Sequence, residues 1–110
     1  MITEATGPVI FAAIAASGSG DNTLVDAVSG YKIRVLGYTF IVSGAVNVKF
    51  QSAADGDDLT GTMVFDAASK GASVTVNGLG LFETAPGELL NLNLSGAVGV
   101  NGHLTYQLVK

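Results

Sequence analysis

Cysteine and tryptophan are absent from these 110 residues, and there is a single histidine. Without cysteine there is no disulfide staple, thiolate zinc site, cysteine nucleophile or redox pair, a composition that fits folding in a reducing cytoplasm. A disulfide is also unnecessary. Area scaling gives roughly 16,000 Å² exposed by the unfolded chain and roughly 5,700 Å² by the folded one, so about two thirds is buried around one core. A second independent core has no room at this length. Long apolar runs are missing as well: Val9–Ala16, the longest, has 8 residues against the roughly 20 that a spanning helix needs. The expectation is a chain without a membrane partner. The small apolar start does not read as a signal peptide, because Glu4 precedes it and no Lys or Arg does.

Charge is the scarcest ingredient. Lys, Arg, Asp and Glu make up 13% of the chain, against about 25% in an ordinary soluble domain, and mean hydropathy is +0.48. Such a chain covers its exterior in two ways: Ser, Thr, Asn and Gly clothe part of it, and part is buried against copies of itself or another protein. Oligomerisation is therefore expected. The net charge is −4, and the cations Lys32, Arg34, Lys49, Lys70 and Lys110 are scattered. No stripe tracks a phosphate backbone, so nucleic acid is not an expected partner.

What the sequence has in quantity is glycine, 15 residues of it, falling between apolar stretches at the spacing of turns in a many-stranded β domain. No stretch keeps the helical apolar period for three turns. Alternation is clear instead: Val46, Val48, Phe50 against Asn47, Lys49, Gln51; Val74, Val76 against Ser73, Thr75, Asn77; Leu90, Leu92, Leu94 against Asn91, Asn93, Ser95; Leu104, Tyr106, Leu108 against His103, Thr105, Gln107. The predicted strands are Pro8–Ala16, Asn22–Val28, Lys32–Val42, Ala45–Gln51, Thr60–Phe65, Ser73–Asn77, Leu79–Thr84, Leu89–Leu94 and Val98–Val109. Within Lys32–Val42 the alternation changes phase at Gly37. Either a bulge re-aims the strand there or the strand is covered on both faces.

Turns are expected at Ser17–Asp21, at Ser29-Gly30, at Asp55–Asp58, and at Ala85-Pro86-Gly87, where Pro then Gly suits the centre of a type II turn. Ser43-Gly44-Ala45-Val46 recurs as Ser95-Gly96-Ala97-Val98, and both read as tight hairpins. About eight or nine strands so punctuated predict an all-β, single-domain antiparallel sandwich with jelly-roll order.

Chemistry-bearing residues are sparse. His103 lies on the polar parity of the last strand, with no nucleophile elbow in the sequence, so an exposed or interface side chain is the preferred reading and no enzyme is expected. Asp55, Asp57 and Asp58 lack the spacing of a calcium loop and read as solvated turn residues. A glycosidase pair such as Asp66 with Glu83 would have to be assembled from distant strands. Asn93-Leu94-Ser95 matches a glycosylation acceptor but falls inside a predicted strand. Lys32 and Arg34 share a strand face, where an acidic neighbour or, preferably, protection of a sheet edge accounts for them. The aromatics Phe11, Tyr31, Tyr38, Phe40, Phe50, Phe65, Phe82 and Tyr106 fall mostly at core parity. No catalytic, cofactor or metal residues are assigned.

Ser19–Val25, Lys32–Leu36, the two Ser-Gly-Ala-Val turns and Gly80–Thr84 together resemble the capsid decoration, or cement, proteins of tailed bacteriophages, with the likeness running from Phe11 to Val109. The resemblance implies a structural virion protein made in the host bacterial cytoplasm, a homotrimeric sandwich that sits on the capsid surface and braces the major capsid protein. It also implies a flexible arm over residues 1–7 that orders on docking, with the sandwich over 8–110. A carbohydrate- or receptor-binding module of a phage fibre or tail is the alternative, since sandwiches present ligand sites on loops.

Overall fold

Branched and aromatic residues at alternate positions favour a pleated, half-buried backbone, and strands form where the sequence alternates. The computed structural model describes residues 6–110, which hold ten strands and no helix. These are β1 (Thr6–Ala16), β2 (Gly20–Val25), β3 (Lys32–Val42), β4 (Val46–Ser52), β5 (Asp57–Asp58), β6 (Met63–Phe65), β7 (Gly71–Val74), β8 (Phe82–Glu83), β9 (Leu90–Leu94) and β10 (Val100–Val109). The arm expected over residues 1–7 lies outside the described residues up to position 5; Thr6 and Gly7 open β1.

Every pairing is antiparallel. One sheet has the order β1-β10-β3, and the far side of β3 is shared by β7, along Tyr38–Ile41, and β8, along Arg34–Val35. The other has the order β2-β9-β4, with β5 and β6 sharing the far side of β4 in the same way. Because each short pair fills one position, the ten strands occupy eight places in two four-wide sheets. The chain crosses repeatedly between the sheets, which is the jelly-roll wiring that the sequence predicts.

Between the sheets lies a dry core. Ile33, Val35, Val48, Phe50, Leu90, Leu92, Val100 and Leu104 are fully buried there. Tyr38, Phe40, Phe50, Phe65 and Phe82 form an aromatic group, with the Tyr38 and Phe50 ring centroids 5.0 Å apart and those of Phe40 and Phe65 5.6 Å apart. Each fully buried side chain of this size contributes about 1.5–3 kcal/mol.

The phase change at Gly37 is a bulge. Thr105 pairs with Gly37 and Tyr106 with Val35, so Leu36 is the extra residue, and the inward positions pass from Ile33 and Val35 to Tyr38, Phe40 and Val42. Gly37 is required by close approach: a Cβ there would stand 2.9 Å from Cα of Val76 and 3.0 Å from the Val74 carbonyl. The Ala85–Glu88 turn closes with Glu88 N–H donating to the Ala85 carbonyl at 3.2 Å, and Gly87 at φ 75° supplies the positive angle that a type II turn needs.

Four expectations are corrected. The Ser-Gly-Ala-Val segments are not hairpins within a sheet, because β3 and β4 belong to different sheets, as do β9 and β10. Both are corners between the sheets, and they brace each other: Ser43 N–H donates to the Gly99 carbonyl at 2.8 Å, and Ser95 N–H to that of Asn47 at 3.0 Å. Lys32 and Arg34 do not guard an edge, since β3 is interior; they hold Glu83 of β8 across the register. The turn expected at Asp55–Asp58 comes earlier, with Gly56 N–H donating to the Ala53 carbonyl, and it frees Asp57 and Asp58 to pair with Ser52 and Gln51 as β5. Finally, Gln51 and Asn91 are buried although they occupy the solvent parity.

Candidate interaction surface

No pocket opens among the described residues, and no three of their His, Asp and Glu side chains gather in a way that would hold a metal ion. The two outer faces of the sandwich differ.

On the outside of the β2 sheet the register sets Asp21, Asn93 and Lys49 in one row and Thr23, Asn91, Gln51 and Asp58 in the next. Lys49 Nζ lies 3.1 Å from Asp58 Oδ1, and Gln51 Nε2 donates to the same oxygen at 2.9 Å. Hydrogen bonds from Gln51 and Lys49 hold the Asp58 carboxyl below its ordinary range. Asp55 N–H donates to Asp21 Oδ1 at 3.0 Å, which ties the turn before β5 to the neighbouring strand. This face is largely polar, and ion pairs and hydrogen bonds join its strands.

The outside of the β1 sheet carries none of that. Its rows read Ala15, Asn101, Ile41; Ala13, His103, Thr39, Ser73; and Phe11, Thr105, Gly37. Among the described residues, charge enters at the ends. At one, the row Val9, Gln107, Arg34, Glu83 carries an ion pair in which Arg34 Nε donates to Glu83 Oε1 at 2.8 Å and Lys32 Nζ lies 3.3 Å from Oε2. At the other, Lys70 precedes β7. Burial alone would raise the Glu83 pKa, but the bonds and charges of Arg34 and Lys32 outweigh it and hold the carboxyl low.

This face mixes neutral polar side chains with exposed hydrophobic ones. Phe11 is 79% exposed, Val9 is exposed two residues before it on β1, and Ile41 on β3 and Val76 beyond β7 are exposed as well. In β1 the residues Thr6–Ala16 include no charge, and among the described residues β1 is the last strand of its sheet, paired with β10 alone. Pro8 and the register shift between Thr6 and Val9 blunt one end of this edge, and from Val9 to Ala16 it carries no charge that would discourage pairing with another chain.

The residues singled out from sequence scatter. His103 stands exposed at mid-face between Ala13 and Thr39. Asp66 follows β6 in one sheet and Glu83 lies in β8 of the other, engaged by its two cations. Asn93 is half-buried within β9. Of the aromatics, Phe11 escapes the core, and Tyr31 lies beneath Lys110 Nζ, 5.1 Å from its ring centroid. The β1 face went unnoticed as a site because its signal, eleven consecutive uncharged residues ending in alanines, reads equally well as an ordinary buried strand. Neither the family models nor the curated proteins include a match to this chain.

Proposed function

We propose that this chain is a structural protein of a tailed-phage particle, a homotrimer that decorates the capsid exterior and stabilises it by adding buried contact across boundaries between major capsid subunits. One observation carries the reading: an acidic jelly roll whose ionic groups, among the described residues, lie on one outer face and at the ends leaves the central rows of the other face without charge and with Val9, Phe11 and Ile41 exposed on it. Large exposed side chains on a face without ionic groups support a part designed for contact. The sandwich architecture recurs in viral shells, and the resemblance in the turns and strands points the same way. Additive area is then the mechanism, and no chemical step is needed.

The test is rebinding. Purified protein mixed with undecorated heads should sediment with them and raise the temperature at which they rupture, and light scattering should give three times the monomer mass. A monodisperse monomer of 11.1 kDa with no affinity for heads overturns the reading.

A further inference from the structure

We infer that Asn77 is a site of spontaneous covalent modification: in the folded protein its side-chain amide closes on the Gly78 nitrogen, expels ammonia and leaves an aspartyl or isoaspartyl residue between β7 and β8. The inference is independent of the capsid reading above and concerns the covalent chemistry of the chain itself.

The chain contains two Asn-Gly pairs, Asn77-Gly78 and Asn101-Gly102. In such a pair the attacking atom is the backbone nitrogen that follows the amide, and glycine places no side chain over it. The fold treats the two pairs oppositely. Asn101 pairs with Ala15 and Ile41, and Gly102 with Ile14 and Phe40. With β1 on one flank of β10 and β3 on the other, that backbone is fixed in the pleat, and bending it into a ring requires the ladder to open.

Asn77 and Gly78 are exposed and lie outside any strand. Gly80 N–H donates to the Asn77 carbonyl at 2.9 Å and closes a turn over them. Within that turn Leu79 N–H donates to Asn77 Oδ1 at 2.8 Å. Oδ1 is the atom that gains negative charge when a nucleophile adds to Cγ, so the Leu79 N–H stabilises the tetrahedral intermediate as an oxyanion-hole donor does. Among the described residues no acceptor engages the Gly78 N–H, and a Cβ built on Gly78 meets nothing within 4 Å. The electrophile is polarised and the nucleophile is free.

In the reaction the Gly78 nitrogen bonds to Asn77 Cγ, the bond from Cγ to Nδ2 breaks, and Nδ2 leaves as ammonia with the proton from Gly78. Solvent water then cleaves one of the two carbonyl–nitrogen bonds of the cyclic imide, giving aspartate or isoaspartate. Either product adds one negative charge to the net −4. The isoaspartyl product also rebuilds the loop. Asn77 N–H donates to the Leu36 carbonyl at 2.9 Å and Leu81 N–H to that of Val35 at 2.8 Å, so the loop is pinned at both ends to the β3 bulge. Isoaspartate lengthens the main chain by one carbon between these pins and turns the carbonyl that holds Gly80 into a free carboxylate.

The test is incubation of the full chain in warm, mildly alkaline buffer, followed by trypsin and tandem mass spectrometry. Residues 71–110 form one tryptic peptide, so both pairs are read together. Asn77 should gain the mass of NH2 replaced by OH at least about tenfold faster than Asn101, whose strand must open first. In urea the two should react at similar rates. Gly78→Val, checked for fold by circular dichroism, should suppress the gain at Asn77 by shielding the nitrogen. Should that variant lose the fold, Asn77→Ser, which keeps an oxygen for the Leu79 N–H but has no amide to expel, should abolish it. Equal rates at the two sites in the folded protein, or reaction at Asn77 in urea alone, overturn the inference, as does an unchanged gain at position 77 in Gly78→Val or at the loop in Asn77→Ser.

Discussion

Asn91 donates from Nδ2 to the Gln51 side-chain oxygen at 2.9 Å, and both residues are buried on the solvent parity of their strands. The same nitrogen donates to Asp21 Oδ1 at 2.8 Å, and the Asn91 oxygen accepts the backbone N–H of Asn22 at 2.8 Å. One side chain thus joins β2, β9 and β4 with its hydrogen-bonding groups satisfied. Asn91→Ala removes these bonds and leaves buried partners unmet, so it should cost about 2–4 kcal/mol in urea unfolding. Asn91→Leu should restore little of it, because volume is not what is missing; a variant as stable as the parent would refute the account.

Glu83 gives an acid dependence with a definite sign. Its carboxyl is held below the ordinary value of 4.5 by Arg34 and Lys32 against the opposing effect of burial. A depressed folded-state pKa contributes stability that is fully present above the unfolded value and is lost as pH falls through the folded one. Unfolding midpoints measured between about pH 6 and about pH 3 should therefore fall, and Glu83→Gln should flatten part of that fall while lowering the plateau at neutral pH. A parallel curve for Glu83→Gln would show that the pair contributes nothing.

Gly37 permits the bulge that turns β3 over. A methyl group at that position meets backbone at Val76 and Val74, atoms that cannot swing away as a side-chain tip would. Gly37→Ala should cost about 1–3 kcal/mol by thermal unfolding and should disturb the amide signals of residues 74–77 before those of β9. If β9 shifts first, the close approach is not the constraint.

The strands that sequence placed best are those with strict alternation and a buried partner on one side: β3 matches its expected bounds, and the Leu90–Leu94 run is β9. The bulge was legible because Gly37 and a change of parity coincide. What was not legible depended on where chain returns in space. Gln51 and Asn91 look like surface residues until the turn before β5 reaches over to Asp21, and a Ser-Gly turn looks the same whether it reverses a strand or carries it to the facing sheet. The uncovered face was hardest, since alternation assigns Val9, Phe11, Ala13 and Ala15 to one side of β1 without saying which sides of a sandwich receive a partner. Only the pairing with β10, and the charge sorted to the other sheet, distinguish it.

Phe11 and Val64 allow a controlled comparison, since the two are 79% and 71% exposed and occupy opposite outer faces. Phe11 stands among Val9, Ala13 and Thr105, on the uncharged side, whereas Val64 lies across from Asn47 on the ionic one. Neither contributes to the core, so Phe11→Ser and Val64→Ser should each leave unfolding within about 0.5 kcal/mol of the parent. An apolar side chain acts in association only within a contiguous patch; singly it is ordinary surface. Phe11→Ser should consequently weaken self-association by an order of magnitude or more in sedimentation equilibrium, and Val64→Ser should leave it unchanged. Equal losses would mean that general surface hydrophobicity, rather than the β1 face, holds the copies together, and a loss confined to Val64→Ser would move the contact to the opposite sheet.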